Sequence, residues 1–411
     1  MPGLHKNRDA LLSFAALKSP NFRIYVGGSF VGLLSLWMQR VTSGWLAWDL
    51  TGSASFVGLV ALMQFAPAIF LSPLFGVWAD RLNTKRAAIV VQSVNFLIAV
   101  AFFGVVALGW LTPVWMIVLS LATGIAASAS HPIRMTLSPR LVTRDLIGSV
   151  VNIVAINFNV ARLAGPALGG LLIATVGVTT TLFVQAVFYL PYVFALTLLT
   201  LRPRRETSTT PEPFSTALAA GFHHVWRSQV IWRAMVTVAV LSLVARGTLE
   251  ILPPLADGVF ERGPEGLGVL LSATGVGALI GGVFKGFLPP QQPDEIPRLT
   301  LAFVLLGLGL VPLLGAVSIW ELALGVAAAM AFVTTLTAIS MQTAIQLVLE
   351  DEMRGRVMSL WAVVAAGGSA LGAGLLGLLA DVFGYTDTLF WTGSVSAVGM
   401  ALYFGFIAAK R

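Results

Sequence analysis

Apolar residues in this chain do not alternate with polar ones. They run together for ~20 residues or more and are then broken by short polar stretches. Coiled as an α-helix at ~1.5 Å per residue, each run is long enough to cross a hydrocarbon layer of ~30 Å. Twelve such runs are found: 24–48, 53–79, 87–109, 114–137, 148–175, 178–201, 229–256, 264–288, 298–316, 318–345, 357–383 and 386–409. The period-two alternation of a membrane barrel is missing. The pattern predicts an all-α integral membrane protein with twelve transmembrane helices.

Composition agrees. Of the 411 residues 57% are hydrophobic and 10% charged, against about 25% charged in a soluble domain. The net charge of +7 reads as topology. With both termini cytoplasmic, every lysine and arginine except Arg40, Arg162, Arg246 and Arg262 falls on the cytoplasmic side, as the positive-inside rule asks. No nucleic-acid partner is implied, and the expected location is the cell membrane. Residues 1–23 form a cytoplasmic segment too long and polar for a cleavable signal. The chain has no cysteine, which excludes disulfides and thiol chemistry.

The longest polar stretch, "RPRRETSTTPEP" at 202–213, divides the chain. Residues 202–228 read as a cytoplasmic linker ending in an interfacial helix with His223, His224 and Arg227. The flanking segments, 24–201 and 229–409, repeat each other. At an offset of 210, Arg23, Gly58 and Gly76 fall on Arg233, Gly268 and Gly286. At 207, Gly148, Gly165, Gly170 and Gly177 fall on Gly355, Gly372, Gly377 and Gly384. Two six-helix bundles in parallel repeat, related by a pseudo-twofold axis, form a transporter architecture with substrate bound between the halves.

Charges inside the spans need partners or a wet cavity, since an arginine at mid-membrane costs ~2.5–3.5 kcal/mol on insertion scales. At offset 210 Arg40 falls on Glu250, each 17 residues beyond its basic flank. Arg246 lies four residues before Glu250 and shares its helix face. The cluster reads either as a fixed ion pair or as a cavity-facing site for substrate or coupling. Asp49, Trp37, Gln39, Gln64 and Gln342 are the other cavity or coupling candidates. On the fifth run Asn152, Asn159, Arg162 and Pro166 share one face, which must meet protein or water.

The loop "GVWADRLNTKR", Gly76 to Arg86, resembles the cytoplasmic signature of the major facilitator superfamily. The resemblance implies that Asp80 meets the start of the eleventh helix, near Arg354 and Arg356, and with Gly76, Arg81 and Arg86 gates the cytoplasmic side. The stretch from Pro132 to Gly170 is similar to the subgroup of drug and siderophore exporters that includes the enterobactin exporter. Its Gly165-Pro166-x-x-Gly169-Gly170 resembles the fifth-helix signature of antiporters, in which glycines pack against the opposite half. The implied function is secondary active export of an amphipathic organic compound (a drug, a siderophore or a metabolite) by alternating access. Protons are the coupling ion to test, although the arginine many drug-proton antiporters carry in the outer fourth helix is missing. Import of a small polar or anionic solute and lysophospholipid flipping are the alternatives. The expected partners are the substrate and membrane lipids, with the chain a monomer. "GAGLLG" at 372–377 lies inside an apolar run with no strand before it and reads as helix packing. No phosphate-binding loop and no metal-binding histidine pattern occurs, so no cofactor, metal or enzymatic activity is expected.

Overall fold

A computed structural model describes residues 14–81, 83–202, 222–289, 291–292 and 296–409; the side chains of 73, 76–81, 144, 351–352, 354–355 and 408 lie outside the description. No strand occurs among the described residues. Twelve long helices follow in order: α1 (Pro20–Thr51), α2 (Ala54–Arg81), α3 (Thr84–Ala107), α4 (Pro113–Leu137), α5 (147–176), α6 (178–198), α7 (Gln229–Glu250), α8 (Gly263–Lys285), α9 (Arg298–Ala316), α10 (Trp320–Val348), α11 (Asp351–Phe383) and α12 (Tyr385–Ala409). Side-chain caps set several starts. Asn83 accepts from the Arg86 N–H, Thr112 from that of Trp115 and Ser228 from that of Ile231, each satisfying a backbone donor that a helix start leaves open. Of the expected linker helix, residues 222–227 are helical and 203–221 lie outside the described residues.

α5 and α6 run together over Ile147–Leu198 and are divided at Gly177, with φ 82° and ψ 164°. Gly384, between α11 and α12, has φ 88° and ψ 149°. This region of backbone space is open essentially to glycine alone. The two glycines are also the pair matched at offset 207, so the repeat extends to the conformation of equivalent turns.

The seventh run was expected to continue to 256, but α7 stops at Glu250. It widens into a π-turn at Ser242–Arg246 and closes with Gly247–Glu250. Pro253 and Pro254 follow, and proline carries no N–H to continue a helix. A second π-turn spans Pro254–Val259.

The chain divides into two compact units, 1–43 with 70–208 and 44–69 with 209–411. The end of α1 and the first half of α2 therefore pack with the second unit. In the first unit Phe22, Tyr25, Ile133, Leu137, Val150 and Leu196 belong to one buried cluster. Lys85 Nζ donates to the carbonyls of Thr197 and Leu199, both at 2.7 Å. Arg140 donates to Thr84 Oγ1 at 2.9 Å and to the Arg202 carbonyl. Both cations thus satisfy carbonyls at or beyond the end of α6, where the helix dipole favours positive charge. In the second unit α8 packs on α10, and α7 on α11, through glycines set against backbone.

Candidate substrate site

The charged residues flagged inside the spans fall into two groups, one in each unit. In the first, Arg40 on α1 lies over the Trp37 ring, 4.6 Å from its centroid. Arg162 on α5 lies 5.6 Å from the same centroid. Phe158, one turn before Arg162, meets Trp37 edge to face at 5.6 Å. Arg40, Trp37 and Arg162 are all half-buried. Cation–π contact offsets ~0.5–2 kcal/mol, part of what each arginine costs in a membrane.

The glycine signature explains how this group forms. A Cβ on Gly165 would collide with Trp37 Cβ, and one on Gly169 would crowd the Met38 backbone. Small residues therefore bring α5 onto α1 and set Arg162 beside Trp37, one turn from Gly165. The signature was expected to pack against the opposite half; the close approach of Gly165 and Gly169 is to α1, within the first unit. Pro166 and Gly170 are buried beside them. Asn152 and Asn159 are exposed, and Asn159 Nδ2 donates to its own helix at Ala155 O, 2.8 Å away. Asn157, which the sequence reading passed over, is the buried one and donates to Ser29 Oγ at 3.0 Å.

Gln39 requires a correction. It is 2% exposed. Its Nε2 donates to Thr123 Oγ1 at 3.1 Å, and its Oε1 accepts from Tyr189 Oη at 3.3 Å. Both ends of the amide are used, so Gln39 ties α1 to α4 and α6 and does not line a cavity. Below it Ser35 Oγ donates to the Gln185 carbonyl at 2.7 Å, and Gln185 Nε2 to Thr42 Oγ1.

In the second unit Arg246 ends the π-turn of α7 and Glu250 ends the helix, both half-buried. Asp49 is exposed near the end of α1, Gln64 is buried on α2 and Gln342 is half-buried on α10. Of the gating residues, the side chains of Gly76, Asp80, Arg81 and Arg354 lie outside the described residues. Arg86 is exposed beside its helix cap, and Arg356 is half-buried on α11.

The second unit also contains two carboxylates the sequence reading missed. Asp381, near the end of α11, accepts from Ser53 Oγ at 2.6 Å, Ala54 N at 2.7 Å and Ser55 N at 3.0 Å. It caps the start of α2 from a distant helix, where the dipole favours an anion. Asp257 accepts from Trp48 Nε1 at 2.8 Å. Packing supports the cap: a Cβ on Gly58 would strike the Ala373 carbonyl and one on Gly377 the Ala54 carbonyl. Among the described residues no group of three or more metal-ligating side chains occurs.

Residues 12–409 match the family described as transmembrane secretion effector, within the major facilitator superfamily. The chain belongs to that family. This transporter is 26% identical over 392 residues to the enterobactin exporter EntS of Escherichia coli, covering 89% of this chain and 87% of the relative. In fold it is similar to the nucleoside transporter NupG, with a TM-score of 0.75, 13% identity and coverage of 95% and 99%. A bacterial homologue of the human lysosomal transporter Spinster, inward-facing and unoccupied, gives 0.72, 12%, 95% and 96%. The fold is that of major facilitator transporters, and the protein is a multi-span membrane transporter, not an enzyme.

Proposed function

We propose that this transporter exports an amphipathic organic compound carrying negative charge beside an aromatic or apolar body, in the chemical range of siderophores and acidic drugs. The observation that carries the reading is the placing of Arg40 and Arg162 on one tryptophan ring. Two cations held beside one ring attract an anion, and the neighbouring aromatic residues Trp37 and Phe158 give its apolar body a matching surface. The likeness to an enterobactin exporter over most of both chains supports export over import.

Transport proceeds by alternating access, with both termini cytoplasmic. Asp80, Arg81, Arg86, Arg354 and Arg356 close the cytoplasmic side, and the Asp381 cap on α2 belongs to closure of the other. Glu250 with Arg246, together with Asp49, supplies the carboxylates through which proton entry would be coupled.

The test uses inside-out vesicles holding the full chain, acidified within, and a labelled aromatic carboxylate. Accumulation that falls at least tenfold in Arg40→Gln and Arg162→Gln, with insertion intact, is the expected result. Uptake by whole cells, movement of lysophospholipid alone, or wild-type accumulation by both variants would overturn the proposal.

A further inference from the structure

Residues 44–69 belong by sequence to the first six-helix repeat, yet they pack with the second unit. Gly44 meets Pro253, a Cβ on Gly258 would strike the Trp48 ring, and Gly58 and Gly377 set α2 against the α11 backbone. Two carboxylates from later in the chain hold the same stretch. Asp257 accepts from Trp48 Nε1, and Asp381 accepts from Ser53 Oγ, Ala54 N and Ser55 N. With the termini cytoplasmic, as proposed above, both carboxylates lie on the outer side.

The hydrogen bonds at the start of α2 can be followed one by one. The Phe56 N–H goes to Ser53 Oγ at 3.1 Å and the Val57 N–H to the Ser53 carbonyl at 3.2 Å. The N–H groups of Ala54 and Ser55 have Asp381. A helix start leaves its first donors without an intrahelical partner, so Asp381 supplies acceptors that α2 lacks. It does so as an anion, using both oxygens. A proton on either oxygen removes the charge and turns an acceptor into a donor, and a charge-assisted hydrogen bond is about twice as strong as a neutral one.

Asp381 is exposed, so water reaches it. It also stands alone on the two helices it joins. No ionisable side chain occurs at 50–79 or at 357–380, the bodies of α2 and α11. Of the adjoining elements, α12 brings Asp387, which is exposed, and Tyr385, whose hydroxyl donates to the Ile251 carbonyl at 2.9 Å. α1 brings Asp49, also exposed. α7 brings Arg246 and Glu250, and its Gly247 meets α11 at Gly372, nine residues before Asp381, or ~13.5 Å along the helix. The groups whose hydrogen bonds act on Asp381 are neutral: Ser53, Ala54 and Ser55.

We propose that Asp381 is an acid-released latch on the outer gate. As a carboxylate it holds the α1–α2 turn against α11, and a proton from the outer water frees that turn and opens this face for release of cargo. The proton returns to the same water when the cap re-forms. Asp381 therefore reads outer acidity and carries no proton across, a task left to the carboxylates named above. The inference rests on the alternating-access reading for the meaning of the opening, and on the hydrogen bonds alone for the response to acid.

The test places nitroxide labels on Thr51→Cys and Phe383→Cys, two exposed positions in a chain with no cysteine of its own. The full chain is held in lipid nanodiscs, and distances are read by double electron–electron resonance. The labelled parent shows a short distance at about pH 8 and a longer one whose share rises about tenfold by about pH 5. Asp381→Asn shows the longer distance at both pH values. Ser53→Ala, which takes away one donor, moves the opening to higher pH. Trp48→Phe, which removes the tie to Asp257, and Asp387→Asn keep the parent's response. Parent distances that ignore pH, a pH response that survives in Asp381→Asn, or an Asp381→Asn chain held at the short distance would overturn the proposal. The expected response in a chain that exports nothing would sink the export reading and leave the latch standing.

Discussion

The two units hold their helices together by different means. In the first, buried side chains bond across helices: Gln39 to Thr123 and Tyr189, Gln185 to Thr42, Asn157 to Ser29 and Asn95 to Ser130. Its tight glycines face mostly side chains, as Gly32 faces the Tyr192 ring and Gly165 faces Trp37. In the second, several glycines face backbone, although others, such as Gly266 and Gly367, face side chains. Gly277 lies under the Ala328 carbonyl, Gly281 under that of Phe332 and Gly372 under that of Leu243. A crowded side chain can turn away; a crowded carbonyl moves only with its helix. Where the second unit is joined by backbone contact, as at Gly277, Gly281 and Gly372, little room is left for change. The first is fixed by polar bonds around the group in which Arg40 and Arg162 lie near the Trp37 ring.

The sharpest test of that contrast pairs two substitutions. Gly372→Val, pressed against backbone, should cost ~3 kcal/mol or more and remove most of the monodisperse protein on size-exclusion chromatography. Gly32→Ala, pressed against a tyrosine ring, should cost only ~1 kcal/mol, and equal losses would end the comparison. Next in size, Gln185→Leu should cost ~1 kcal/mol by removing the Nε2 donor to Thr42, whose own hydroxyl still donates to the Met38 carbonyl, read as a fall in unfolding temperature. Asp381→Ala should cost ~1 kcal/mol through loss of a cap. The chain has no cysteine, so Ser55→Cys alone reports the local effect: maleimide should label it faster once Asp381 is gone. Trp48→Phe keeps the ring but loses the bond to Asp257. It should have the smallest effect, ~0.5–1.5 kcal/mol.

Much of this was legible in the sequence. Apolar runs give helices because a backbone in lipid must satisfy its own hydrogen bonds. Gly177 and Gly384 were marked by their offset, and the backbone angles there explain why both are glycine. Arg40 and Arg162 were conspicuous as cations within apolar runs. Their shared ring was not, because the approach of α5 to α1 is set by Gly165 and Gly169, and a small residue does not name the helix it faces. Gln39 was misplaced for a similar reason: a polar side chain in a span must face protein or water, and spacing does not say which. Arg134 stands in the stretch that carries the exporter resemblance, but its place over the Phe158 ring left no mark in the spacing. Asp381 left no local trace, since its acceptor role is played 327 residues from Ala54. The end of α7 was overrun because hydropathy continues through Pro253 and Pro254 while hydrogen bonding does not.

The distance in sequence between Asp381 and the helix start it caps bears on how the protein is made. A ribosome that has delivered the first six spans has released a helix start at Ala54 whose cap will not be synthesised until the eleventh. Until then three donors there must be met by water or by lipid headgroups. The hairpin of α1 and α2 therefore sets late, and chains truncated before residue 381 should engage quality-control proteases at this hairpin first.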